Sequence, residues 1–136
     1  MKQKGIILSV MGGAIVVAAA AGFSAKAGSD AVAFKSWPQA KFKGVRMLVA
    51  EDSLLKEQGF AGAPSGEFEK TLVFFSDIGP GTVFTNREQG FGPVVRDLRI
   101  VFFDAHGKIL KADIMRAKTG ESVAPPGTAF VIEGLP

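Results

Sequence analysis

The chain has 136 residues, room for one domain and an appendage. It contains no cysteine, which excludes disulfides, thiolate nucleophiles, cysteine-bound zinc or iron–sulfur clusters and lipid attachment through an N-terminal cysteine. The net charge of +3 does not make a nucleic-acid surface, because Lys2, Lys4 and Lys26 carry all of it. The remainder balances its basic groups against 13 acidic ones and lacks the field that phosphate binding needs.

Residues 1–27 read as an export signal. Lys2 and Lys4 make a basic start, residues 5–23 carry no charge, and Ala25 and Ala27 fit a small-residue cleavage site before Gly28. The alternative is an uncleaved anchor, since the apolar run would span about 28 Å as a helix, close to the hydrocarbon thickness. Either form places the rest of the chain outside the cytoplasm: a soluble periplasmic or secreted domain cut near Ala27, or one tethered to the membrane through residues 5–23. Residues 28–44 read as a linker or strap, with Phe34, Trp37 and Phe42 as apolar handles and a short edge strand as one possibility.

The body is expected over residues 45–136. Val45–Ala50 alternates as a strand, and Glu51-Asp52-Ser53 supplies helix-start oxygens for a short helix over 54–58 that stops at Gly59. Strands are expected at 71–75 and 82–84, then a long loop from Asn86 to Val95 with Gly90, Gly92 and Pro93. The strongest fold signal is a β-hairpin over 97–115, turning at Asp104-Ala105-His106-Gly107. Its first strand is apolar on both faces and so belongs inside a sheet. Its second strand places Lys111 and Asp113 on one face and Leu110, Ala112 and Ile114 on the other, the pattern of a wall wet on one side. A polar loop over 117–127 and a closing strand over 128–133 complete the chain. With no long helix to make crossovers, the fold class is mainly β (α+β): a small antiparallel, barrel-like or curled sheet with one short helix.

This order of features resembles the conserved, exported family known as domain of unknown function 192, over residues 46–133. The best match is Leu98-Arg99-Ile100-Val101-Phe102-Phe103-Asp104-Ala105-His106-Gly107-Lys108-Ile109 against the family's Leu-Asp-Ile-x-Phe-x-Asp-x-x-Gly-x-Ile. Lys70-Thr71-Leu72-Val73-Phe74-Phe75 and Ala129-Phe130-Val131-Ile132-Glu133 are similar to its Gly-Met-Leu-Phe-x-Phe and Ala-x-Tyr-Val-Leu-Glu stretches. Of its Gly-Leu-Met-Phe-Arg only Gly59 remains. The polar Trp-Met-Lys-Asn-Thr stretch is replaced by Phe84-Thr85-Asn86-Arg87-Glu88, and Arg99 stands where the family has Asp. The resemblance implies the fold and lends no activity, and no functional residue is carried over from it.

Candidate chemistry is sparse. His106 beside Asp104 has the composition of a general base, but the position is that of a solvated hairpin tip. Asp97 and Asp113 are close enough in hairpin register to form an acidic pair, or to pair with Arg96, Arg99 and Lys111 across strands. No serine has a nucleophile-elbow context, and Gly90-Phe91-Gly92 lacks the following Lys-Ser or Lys-Thr of a phosphate loop. The best ligand-binding candidates are Asn86, Arg87 and Glu88 in the long loop, with Arg99. No catalytic residue, metal ligand or cofactor is assigned. The expected function is a non-catalytic envelope domain that binds a partner protein or small molecule through loops. The alternative is an envelope enzyme using carboxylate and Arg chemistry on cell-wall or carbohydrate material, which requires Arg87, Glu88 or Arg99 to converge in a pocket.

Overall fold

The computed structural model describes residues 31–42 and 44–136; residues 1–30, on which the export signal is expected, and Lys43 lie outside them. In chain order the strands are β1 (Gln39–Phe42), β2 (Val45–Ala50), β3 (Thr71–Phe75), β4 (Val83–Thr85), β5 (Leu98–Phe103), β6 (Ile109–Met115), β7 (Glu121–Val123) and β8 (Phe130–Gly134). One short helix, α1 (Ser53–Gln58), follows β2, and single 3-10 turns occupy Phe34–Ser36 and Ser65–Phe68. The mainly-β fold with one short helix is therefore as expected. The hairpin, the helix and its two punctuating residues all fall where the sequence puts them. Asp52 accepts the Leu55 N–H at 2.9 Å as the N-cap, and Gly59 stops the helix at a φ of 50°.

Six strands form one sheet in the order β1-β2-β3-β8-β5-β6, and β4 pairs with β7 in a separate ribbon. No pairing joins β1 to β6, so the sheet stays open and curled instead of closing into a barrel. It is antiparallel except at β2/β3, whose parallel pairing is made possible by the crossover through α1 and the second 3-10 turn. The last strand does not close an edge. It inserts between β3 and β5, with Glu133 opposite Val73 on one side and Ile100 on the other. The strap contributes the edge strand β1, and its Phe34 and Trp37 are buried. The loop expected over 117–127 contains β7, a strand too short to show alternation in sequence.

The core lies between the inner face of the sheet and the layer made by α1, the strap and the β4/β7 ribbon. Phenylalanine carries it. Phe60 and Phe68 stack at 4.6 Å, Phe34 meets Phe60 edge-on, and Phe84 bridges Phe75 and Phe102 at 5.2 and 5.8 Å. Such pairs stabilise by about 0.5–1.5 kcal/mol beyond the area they bury.

The hairpin faces need a correction. In register, Lys111 is opposite Phe102 and Asp113 opposite Ile100, so both polar residues lie on the core side of β6. The β4/β7 ribbon gives them partners there: Lys111 Nζ donates to the Val123 carbonyl at 2.9 Å and Asp113 accepts from the Ser122 hydroxyl. Ile114, on the opposite face, is 48% exposed. Polar residues that find hydrogen bonds sit inside, and an apolar one is left outside.

Candidate functional site

The residues singled out in the sequence do not come together. Asn86 is buried at the end of β4, where its side-chain N–H groups donate to the Met115 and Arg116 carbonyls at 3.2 and 3.0 Å. Arg87 is exposed and pairs with Glu121 at 2.9 Å. Glu88 accepts the N–H groups of Gly90 and Gly92, holding its own loop in shape. Arg99 is exposed on the outer face of β5. Arg87, Glu88 and Arg99 therefore form no shared pocket, and the carbohydrate-enzyme alternative loses the constellation it needed.

The hairpin carboxylates are likewise occupied. Asp104 accepts the N–H of His106 at 2.8 Å and of Lys108 at 2.9 Å, and His106 itself is exposed. Asp97 and Asp113 do not face each other. The register puts Asp113 opposite Ile100, while Asp97 accepts the Ala117 N–H at 2.8 Å and pairs with Arg116 at 3.1 Å. Hydrogen bonds from backbone N–H groups, Lys108 first for Asp104 and Ala117 first for Asp97, hold both carboxyls below the usual range.

The unusual chemistry lies elsewhere, on the inner face of β8. The alternation of that strand sends Val131 and Glu133 inward, so the centre of the sheet that buries Val73 and Ile100 also buries a carboxyl. Glu133 is only 5% exposed, and among the described residues no hydrogen bond or ion pair reaches its carboxyl. Burial alone pushes it up to about 8. It faces a cavity of about 30 Å³ whose other walls are Phe60, Phe75, Phe84 and Val94, the helix end at Glu57–Gly59, and Asn86 with Gln89. Gly59 belongs here for its backbone. Its φ of 50° is a conformation that favours glycine, and it brings the end of α1 against the carboxyl, where a Cβ would lie in ordinary contact, 3.5 Å from Glu133 Oε1 and the Phe75 ring.

A second carboxyl lines the same cavity. Both oxygens of Glu57 are buried without a hydrogen-bond partner, and burial raises its pKa to about 7. The amine of Lys56 is also buried and unpartnered. Burial holds it below its usual value, against the attraction of Asp77 and Asp52. Asp77, at a φ of 55°, is pushed up by burial and pulled down by Lys56. Unsatisfied buried polar groups cost on the order of 1–3 kcal/mol each, and their concentration at one cavity marks it as a site.

Comparison with protein-family models, with curated proteins and with solved structures finds no match. The site therefore rests on its own geometry. A larger groove of about 360 Å³ runs between the strap and residues 63–67, and of its polar side chains Arg46, Glu67 and Gln58 already have partners, while Lys35 is exposed to solvent. Arg46 binds Glu67 and Thr71, and the Gln58 amide both accepts from and donates to the Val32 backbone. Size favours that groove, while unmet hydrogen-bonding capacity favours the Glu133 cavity, and the second criterion is the one that implies a missing partner.

Sequence reading passed over Glu133 because it ends an apolar strand and matches a conserved-looking Val-Leu-Glu stretch, a packing pattern. The signal was parity: two residues beyond Val131 on a strand whose inner face is buried, an acidic side chain has nowhere else to point. Glu57 gave no signal, since a Lys-Glu-Gln run on a short helix ordinarily meets water.

Proposed function

We propose that the protein is an exported, non-catalytic domain of the cell envelope that binds a small ligand, and that the ligand engages the cavity at Glu133. Export is supported by the basic start, the uncharged run and the small residues at Ala25 and Ala27. The observation that carries the binding reading is the pair of carboxyls on one cavity, Glu133 buried at the centre of the sheet and Glu57 with both oxygens buried and unpartnered. A buried group without a partner is stabilised by any occupant that supplies one. The cavity admits one or two groups the size of water, at about 10–15 Å³ for each. That suits a small ion or the tip of a larger ligand, and it is far short of a sugar ring. Membership of the domain of unknown function 192 family remains part of this reading, supported by the Leu98-to-Ile109 hairpin motif and the Ala129-to-Glu133 stretch.

The test is a thermal-shift screen of small polar molecules on the full chain and on its Glu133→Gln variant. A binder that raises the melting temperature of the parent by several degrees and leaves the variant unmoved supports the reading. Binders whose effect is equal in both chains would place the site elsewhere, in the exposed 86–92 loop or the strap groove.

A further inference from the structure

The lining of the Glu133 cavity has a bias that narrows the ligand class. Both oxygens of Glu57 are buried without a partner, and the buried Glu133 carboxyl lines the same cavity. The Asn86 amide spends its N–H groups on two backbone carbonyls, which leaves its oxygen as the unused end. Gln58 is consumed on the strap at both ends of its amide. The remaining walls include the rings of Phe60, Phe75 and Phe84, whose faces carry partial negative charge. Carboxyls outnumber amines on the lining by two to one. The one charged donor is Lys56, whose buried amine is itself unpartnered, is attracted to Asp77 and Asp52, and offsets only one of the two carboxylates.

We propose that the cavity binds a small cation bearing N–H donors, ammonium or the ammonium head of a primary amine, held between the Glu133 and Glu57 carboxylates and the phenylalanine rings. The proposal rests on the small-ligand reading above and names its chemistry. Ammonium is water-sized and offers four donors, matching both the volume and the surplus of acceptors. A divalent metal is a poorer match, because calcium wants six to eight oxygens and no three acidic or histidine side chains among the described residues come together to share an ion. Below about pH 8 binding is an exchange: the cation enters, one carboxyl proton leaves to solvent, and the buried charge stays balanced. Above it the cation meets carboxylates that are already ionised. The groups facing Glu133 are Glu57 and Lys56 from α1 and the uncharged Asn86 and Gln89 beyond β4, with Asp52 and Asp77 acting through Lys56. As the pH falls below the range in which Glu133 ionises, near 8, the proton outcompetes the cation.

The experiment is calorimetric titration of the full chain with ammonium chloride and methylammonium chloride at pH 8.5 and pH 6.0, with sodium chloride, sodium formate and acetamide as comparison probes. The expected result is ammonium binding that weakens about tenfold or more at the lower pH, with uptake of the cation releasing protons to the buffer. Glu133→Gln should lose about tenfold or more in affinity while melting cooperatively; should it fail to fold, Glu57→Gln carries the same comparison. Ammonium binding that is equal in parent and variants overturns the proposal, as does ammonium that fails to bind at pH 8.5. If formate or acetamide binds in a Glu133-dependent way while ammonium does not, the cation is wrong and the small-ligand reading stands. If none of the probes binds, both fall.

Discussion

Asp104 and Glu133 sit at opposite ends of the ladder that joins β5 to β8, and the two carboxyls meet opposite environments. Asp104 stands in a turn with backbone N–H groups pointed at it, which satisfy its oxygens and lower its pKa. Glu133 stands among Val73, Ile100 and phenylalanine rings, with burial acting on it and nothing offsetting that burial. The turn carboxylate is conspicuous in sequence and chemically spent on the backbone. The sheet carboxyl is inconspicuous and chemically open. Residue type and visibility in a motif are therefore poor guides to function here, and unmet hydrogen-bonding capacity is a better one.

The largest test of this contrast is the pH dependence of stability. Glu133 has a folded pKa near 8 against an ordinary value of 4.5, so the folded chain binds the proton more tightly than the unfolded one. Its contribution is fully favourable below about pH 4.5 and is lost as the pH rises through 8. Urea unfolding should show the parent weaker at pH 8.5 than at pH 5 by roughly 3–5 kcal/mol, an upper range for a fully buried group. Glu133→Gln should remove the Glu133 share of that slope and leave the share of Glu57, which runs the same way. Asp104 and Asp97 run the other way, since their depressed pKa values make them stabilising above the ordinary carboxyl range and lose that contribution only as the pH falls through those values. A parent chain equally stable at pH 5 and 8.5 would mean that the Glu133 carboxyl has a partner or solvent access after all.

Asn86 sharpens the comparison from the side of the residues proposed from sequence. Its amide ties β4 to the end of β6 through two carbonyls, and the backbone N–H of the same residue donates to Gly120 at 2.8 Å. Asn86→Ala should cost about 2–3 kcal/mol in chemical denaturation, because it removes two hydrogen bonds from a buried position, although the Arg116 carbonyl keeps the Gly120 N–H. A cost below about 0.5 kcal/mol would return Asn86 to the role of an uncommitted ligand contact.

What could be read from sequence, and what could not, follows the range of the forces involved. The hairpin, the Asp52 cap and the Gly59 stop are local, and each is written in adjacent residues by backbone chemistry. The position of β8 is not local. Its insertion between β3 and β5 pairs residues dozens of positions apart, and that insertion alone turns Glu133 from the end of a strand into the centre of a core. The same holds for Lys111 and Asp113, whose inward placement depends on a three-residue ribbon strand that shows no period of its own. Asn86 to Glu88 are a polar cluster in sequence and not in space: one of the three is a buried strut, one pairs with Glu121, and one holds its own loop.

The smallest effects belong to the conspicuous turn and loop residues, and they divide cleanly. Asp104→Ala removes acceptors from two N–H groups that can turn to water, so its cost should be the largest of the three and still small. Arg87→Ala breaks an exposed ion pair with Glu121 and should cost about 0.2–1 kcal/mol, less in high salt. His106→Ala touches only an exposed tip and should stay within about 0.5 kcal/mol of the parent. Denaturant midpoints of the three variants, measured at one pH with the parent alongside, would rank them in that order. None should alter the binding of any cavity ligand, since none of the three side chains lines the cavity. A His106→Ala chain that kept its stability and yet lost ligand affinity would reverse the assignment, moving the working chemistry from the buried end of β8 to the exposed end of the hairpin.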